Sequence, residues 1–182
     1  MRDGEDVSMV QTESALAGKY LSFSLADEFY GLEILRVQEI VGMLPVTRVP
    51  RLPEFVAGVV NLRGRIIPVI DVRSAFRMEL APITDRTCII VVSVTRAEGA
   101  STVIGIIVDE VSDVLDLAAE AIEDTPSFGV EVDTSFIRGV GRFDDRVILL
   151  LDIDNVLSSS QLQMVDRATL AGVSGNGTEG ES

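Results

Sequence analysis

Histidine is absent from the 182 residues. That removes the usual general base at neutral pH, the phosphate-accepting side chain of a histidine kinase and the commonest metal ligand, so most hydrolytic mechanisms lose their central group. Cysteine occurs once, as Cys88, which leaves no internal disulfide. Within the aliphatic run 88–94 (CIIVVSV) that thiol reads as a small buried hydrophobe rather than a reactive group. No uncharged apolar run approaches the roughly 18 residues of a membrane-spanning helix. The opening MRDGED has neither the basic start nor the apolar stretch of a signal peptide, so a cytoplasmic location without direct membrane insertion is expected. Positive charge is scarce: the formal net charge is −14. Phosphate binding is driven by clustered Lys and Arg, so nucleic acid is excluded as a partner, and anionic membranes are disfavoured.

Chemical motifs are equally sparse. There is no GxxxxGK[ST] phosphate loop, no Cys/His metal cluster and no GxSxG nucleophile elbow. The fragment Gly139-Val140-Gly141 fails as a dinucleotide fingerprint, because Asp144 stands at the third glycine position and a strand follows. The run 152–155 (DIDN) begins like a calcium loop, but Leu157 stands where that loop needs glycine. The acidic pairs Asp109-Glu110, Glu123-Asp124 and Asp144-Asp145 read as strand ends and turns. Neither catalysis nor a cofactor or metal is expected.

What is present is aliphatic. Hydrophobic residues make up 47% of the chain, enough to bury a core without staples. Short β-branched runs punctuated by Gly, Pro and charged pairs predict about ten strands, at 20–26, 29–35, 37–44, 56–62, 65–71, 87–94, 102–108, 111–115, 136–143 and 146–152. Pro68 lies inside one of these runs and implies a sheet edge or bulge, since it cannot donate a ladder hydrogen bond. Such an edge could serve self-assembly. Residues 116–123 have short-helix propensity, and 154–170 read as a helix with Asp154 as a possible cap. Residues 1–19 read as a disordered arm and 171–182 as a disordered tail.

The chain also repeats itself. Residues 30–41 (YGLEILRVQEIV) match 104–115 (IGIIVDEVSDVL) at an offset of 74, with Gly31 over Gly105 and Val37 over Val111. Residues 55–72 match 136–153 at an offset of 81, with Phe55, Gly58 and Asp71 over Phe136, Gly139 and Asp152. This predicts two copies of one five-stranded unit, a first barrel over about 20–85 and a second over about 86–153. Charge is uneven too: Arg36, Arg48, Arg51, Arg63, Arg65, Arg73 and Arg77 face only Glu39, Glu54 and Asp71 between positions 36 and 77. A planar guanidinium fork suits carboxylate-rich protein surfaces, so this segment is a candidate contact site.

With the repeat, the run 58–71 (GVVNLRGRIIPVID) and the segments at 30–41, 104–115 and 136–141 in view, the chain resembles the CheW family of bacterial chemotaxis coupling proteins over roughly residues 20–165. The resemblance implies a mainly β fold of two pseudo-repeated five-stranded SH3-like barrels with a C-terminal helix. It also implies an adaptor that binds the regulatory domain of a CheA-type histidine kinase and the cytoplasmic tip of methyl-accepting chemoreceptors, recruited to membrane-associated receptor arrays. Carried over by motif, Val37, Glu39, Gly58, Asn61 and Arg63 are expected at the receptor-binding region, with Val108 lining a groove between the barrels. Val41, Leu44 and Arg48 are expected on the kinase side. An alternative is a ligand-sensing module that holds a small molecule between the barrels.

Overall fold

The computed structural model describes residues 16–79, 82–96, 99–125, 135–157, 161, 164 and 165. Among them lie eleven strands: β1 (Gly18–Leu25), β2 (Glu28–Glu33), β3 (Val37–Gly42), β4 (Val56–Leu62), β5 (Arg65–Asp71), β6 (Cys88–Thr95), β7 (Ser101–Val108), β8 (Glu110–Leu117), β9 (Ile122–Glu123), β10 (Ile137–Phe143) and β11 (Arg146–Leu151). Val72–Ala75 form one helical turn, and Ile34–Arg36 and Ala119–Ala121 form 3₁₀ turns. The helical propensity of 116–123 is therefore expressed only as that second short turn, with strand on both sides.

The strands make two sheets, ordered β3-β6-β7-β5-β4 and β8-β1-β2-β11-β10-β9. Each sheet closes on itself. Beyond β3, Thr47 bonds to Val59 in β4 through Thr47 N to Val59 O at 2.8 Å and Val59 N to Thr47 O at 2.9 Å. Beyond β8, β9 pairs with β10 at Ile122–Gly141 and Glu123–Val140. Closure leaves neither barrel a long open edge.

The expected division at 85/86 is corrected here. The first barrel takes β3 to β7, while the second combines β1 and β2 with β8 to β11, so each repeat contributes strands to both barrels. The exchange follows the repeat residue by residue. Val69 pairs with Gly105 in parallel, and the corresponding Leu150 pairs with Gly31. Likewise Val37 faces Val92 and the corresponding Val111 faces Phe23. Adjacent strands along the chain are read easily, but which copy supplies a parallel neighbour is decided only by packing.

This exchange explains why the strands read as continuous aliphatic runs. In β6, Ile89 and Val91 fill the first barrel's interior with Val60, Ile67, Val69 and Ile107. Ile90, Val92 and Val94 point the other way, into a layer shared with Leu21, Phe23 and Leu25 of β1 and Ile104, Ile106 and Val108 of β7. Strands covered on both faces lose the alternating pattern. The second barrel has its own interior, built on Tyr20, Leu115, Leu117, Ile148 and Leu150.

Pro68 does not mark an edge: β5 lies between β7 and β4, and Pro68 is buried. The reason is register. Its partner Val59 directs both backbone groups to Thr47, so the Val59–Pro68 pair is a non-hydrogen-bonded one, and the parallel ladder to β7 starts only at Val69. The missing N–H costs no bond, and no open edge is left there for self-assembly.

At the ends, β1 starts at Gly18, two residues inside the expected arm. The rest of that arm that precedes Leu16, and the tail from 171, lie outside the described residues. Residues 154–157 of the expected C-terminal helix form turns and bends, so Asp154 is no helix cap; Gln161, Met164 and Val165 are helical, and the remainder falls outside the described residues.

Gly58 makes the first closure possible. Its φ is +147°, and a Cβ there would stand 2.1 Å from Thr47 O. Gly42, at the end of β3, has nothing within 4 Å of such a Cβ. Gly58→Ala is expected to destabilise the fold by about 3 kcal/mol or more, because backbone must move, whereas Gly42→Ala should be neutral or stabilise by up to about 1 kcal/mol. Thermal melts of the two variants check this; equal melting temperatures would refute the closure role.

Candidate protein-interaction surfaces

The β4–β5 hairpin, strand β3 and the loop that follows it carry the candidate contact residues, apart from Val108 in β7. The β4–β5 turn places Arg63 and Gly64 at φ +54° and +84°, a type I′ geometry that matches the strand twist. Asn61 Oδ1 accepts from Gly64 N at 2.9 Å and so shapes the turn from within. Arg63 then reaches across to β3, where its Nη2 lies 2.5 Å from Glu39 Oε1. The arginine is 77% exposed and the glutamate 24%, so solvent screens the pair and it contributes at most about 1 kcal/mol to folding. Ile40, beside Glu39, is 43% exposed.

Glu39, Asn61 and Arg63 are thus brought into one neighbourhood of the first barrel. Val37 is half-buried against the shared layer. Two expected contact residues are not at the surface. Gly58 is buried beneath Thr47, and Val108 is 0% exposed within the layer between the barrels. Val108 therefore lines no open groove: the space between the barrels that a groove or small molecule would need is filled there by aliphatic side chains, and nothing favours the ligand-sensing alternative. On the expected kinase side, Val41 and Leu44 lean half-buried on the first barrel's interior, while Arg48 is exposed.

Sequence reasoning missed how the arginines are shared out. Arg73 is 4% exposed and grips Asp71 with two bonds at 3.0 Å, Nε to Oδ1 and Nη2 to Oδ2. Its Nη1 meets Asp109 Oδ1 at 2.9 Å, and Asp109 Oδ2 accepts from Ala26 N at 2.8 Å. The hydrogen bonding of the guanidinium to Asp71 outweighs burial and, with the charges of Asp71 and Asp109, raises the pKa of Arg73. One guanidinium thereby links the end of β5 to the β7–β8 connection and the β1–β2 turn of the other barrel. The second copy has the same bridge with its signs exchanged. Asp154, which aligns with Arg73 in the repeat, takes Arg36 Nη1 at 3.1 Å and Nη2 at 2.6 Å, and Thr95 N at 2.7 Å. The repeat offset of 81 that pairs Asp71 with Asp152 also pairs position 73 with 154, which is the signal that could have found both bridges.

Arg138 pairs with Glu33, and Arg142 with Glu123. A cavity of about 360 Å³ beside Arg36 is lined by Glu33, Arg138, Asp152 and Asp154, whose charges are already engaged with one another or with nearby backbone. Among the described residues no three His, Cys, Asp or Glu side chains gather as a metal site. Cys88 is half-buried with Sγ 3.4 Å from Arg86 O, and burial, helped by the charge of Glu110, pushes its thiol pKa up. No helix among the described residues is long and apolar enough to cross a membrane.

Closed barrels with an aliphatic layer between them, ion pairs spent on holding the barrels together, and exposed arginines beside half-buried aliphatics define a β-barrel scaffold for protein contacts. A family model described as CheW-like domain matches residues 19–161. The chemotaxis protein CheW of Klebsiella aerogenes is 42% identical over 160 residues, covering 85% of this chain and 93% of that protein. That of Bacillus subtilis is 33% identical, covering 82% and 94%. Among solved structures, the scaffolding protein TtCheW of Thermoanaerobacter tengcongensis superposes with a TM-score of 0.69 at 34% identity, covering 80% of this chain and 96% of that one. The chain belongs to the CheW-like domain family.

Two outcomes are expected from this geometry. Arg73→Ala strands two carboxylates and should cost about 3–5 kcal/mol; Arg36→Ala, at a partly solvated pair, should cost about 1 kcal/mol. Urea denaturation measures both, and equal losses would contradict the burial argument. Cys88, held protonated, should react with iodoacetamide at pH 8.5 more slowly than free cysteine, with the rate rising as pH climbs through its elevated pKa. A rate above that of free cysteine would overturn the assignment.

Proposed function

We infer that this chain is a chemotaxis adaptor that couples chemoreceptors to a CheA-type histidine kinase by contact alone, with no catalytic step. The observation that carries the reading is membership of the CheW-like family across nearly all of the described chain. The surface supports it: charged residues flank exposed or half-buried aliphatics at Val37, Glu39, Ile40 and Arg63, the composition of a modest interface with an apolar centre and polar rim.

On this reading the cytoplasmic tip of a methyl-accepting chemoreceptor meets Val37, Glu39, Asn61 and Arg63. Gly58 acts from below by holding Thr47 against β4, and Val108 by holding the two barrels in register. The regulatory domain of the kinase meets the region of Val41, Leu44 and Arg48, with Arg48 the exposed member. The adaptor works in the cytoplasm and is recruited to membrane-associated receptor arrays through the receptors themselves. Signal passes because receptor states differ in contact free energy with the adaptor, and that difference biases the kinase between its own states.

Glu39→Ala and Arg63→Ala should each weaken capture of a receptor-tip fragment by about tenfold while shifting the melting temperature little, because their ion pair is exposed. Pull-down of a receptor-tip fragment and of a kinase regulatory domain, each against the unsubstituted chain and both variants, provides the measurement. Undiminished receptor capture by both variants would remove the site; failure of the unsubstituted chain to hold either partner would remove the adaptor reading.

A further inference from the structure

The chain passes from the second barrel to the first through the 3₁₀ turn Ile34–Arg36, which joins β2 to β3. Ile34 and Val37 rest on the aliphatic layer between the barrels. Beyond them the turn borders the cavity of about 360 Å³ that Arg36 lines with Leu32, Glu33, Arg138, Asp152 and Asp154. Charged groups rather than packed apolar side chains hold it on that side. Pairing of β3 with β6 gives Val37 little help: the ladder begins at Val37–Val92 and shifts register before Glu39–Val91.

Arg36 supplies what the ladder lacks. Its guanidinium meets both carboxylate oxygens of Asp154, Nη1 to Oδ1 at 3.1 Å and Nη2 to Oδ2 at 2.6 Å. Past Val92, where β6 has no further partner in β3, Arg36 Nη1 also donates to Thr95 Oγ1 at 3.1 Å and lies 3.5 Å from Ser93 O. Asp154 is fixed in turn, since Oδ1 accepts from Thr95 N at 2.7 Å and its own N donates to Asp152 Oδ1 at 3.1 Å. The turn is thereby pinned to the end of β6 in one barrel and to the segment after β11 in the other. Side-chain exposures of 30% for Arg36 and 25% for Asp154 leave the pair screened by solvent, so it adds little to folding, unlike the buried Arg73 at the other crossing. Its geometry matters more than its energy, because two parallel bonds fix the direction of a guanidinium and of the backbone that carries it.

We propose that Arg36 is a positioning residue for receptor binding: through Asp154 it fixes the turn from which β3 starts, and so the placement of Val37 and Glu39, without itself touching the receptor. The inference rests on the adaptor reading and deepens its receptor side. Val37 follows Arg36 directly, and Glu39 stands just past the register shift. Loss of the bridge frees the start of β3 to move while the layer beneath it stays intact.

The test is calorimetric titration of a receptor-tip fragment into the full chain and into Arg36→Ala, Asp154→Asn and the double variant, with the kinase regulatory domain as a second titrant. Asp154→Asn keeps an oxygen for Thr95 N and removes the charge, so it probes the bridge with little change to the surrounding turn. Each single variant should lose about fivefold in receptor-tip affinity, and the double variant no more than either, because both changes break one interaction. Affinity for the kinase domain should stay within about twofold. Losses that multiply in the double variant, or a loss in Arg36→Ala with none in Asp154→Asn, would mean that Arg36 meets the receptor directly, and would overturn the positioning role. Unchanged receptor affinity in all three variants, or equal losses toward the kinase domain, would overturn it too, leaving the adaptor reading intact. Failure of the unsubstituted chain to bind the receptor tip would instead bring down the adaptor reading, and this role with it.

Discussion

The structure depends on one layer of aliphatic side chains trapped between two barrels that neither half of the chain could build alone. Leu21, Phe23 and Leu25 from one copy of the repeat meet Ile90, Val92 and Val94 from the other, and Tyr30 and Leu32 are matched by Ile104 and Ile106. Each such side chain gains roughly 1.5–3 kcal/mol on burial. Because β1 and β2 hydrogen-bond into the second barrel while β3 to β7 form the first, peeling the barrels apart would break ladders as well as expose the layer. Close packing of this kind resists gradual deformation. The two barrels therefore act as one rigid support on which surface residues hold fixed separations.

Polar groups follow from that constraint. Where the chain crosses between barrels, backbone and side-chain charges come close to the layer's rim and must be paired. Arg73 with Asp71 and Asp109 does this on one side, and Asp154 with Arg36 and Thr95 does it on the other, with donor and acceptor exchanged between copies. A duplicated fold needs a bridge at each crossing, but either polarity satisfies it. Arginines that serve these crossings are unavailable to partners, so charge counted along the sequence overstates the contact surface. Within the 36–77 segment the arginines that stay exposed are Arg48, Arg51, Arg65, Arg77 and Arg63, whose pair with Glu39 lies open to solvent.

Strand positions were legible because β-branched runs, turn residues and the Gly-rich repeat all point the same way. The I′ turn at Arg63–Gly64 has its counterpart at Asp144–Asp145, both residues there having positive φ, and both turns lie where the aligned copies place them. The ion pair between Glu39 and Arg63 joins two residues to which the CheW resemblance points as contact residues. Pro68 misleads because proline's missing donor implies an edge or a bulge, whereas a non-hydrogen-bonded pair in an interior strand accommodates it equally well. Val108 misled because a residue flanking a predicted groove and a residue filling it have the same aliphatic character.

The sequence by itself determined the elements, the duplication, the absence of the usual catalytic and metal-binding residue sets, and the family, because each is written in local pattern or direct similarity. Only the tertiary structure decided which copy supplies each barrel's strands, which arginines are consumed internally, and which predicted contact residues lie at the surface. Those depend on pairings between residues far apart in the chain, such as Val69 with Gly105 and Arg73 with Asp109. Local propensity carries no information about such partners, since a β-branched run is equally content beside any strand that covers its two faces.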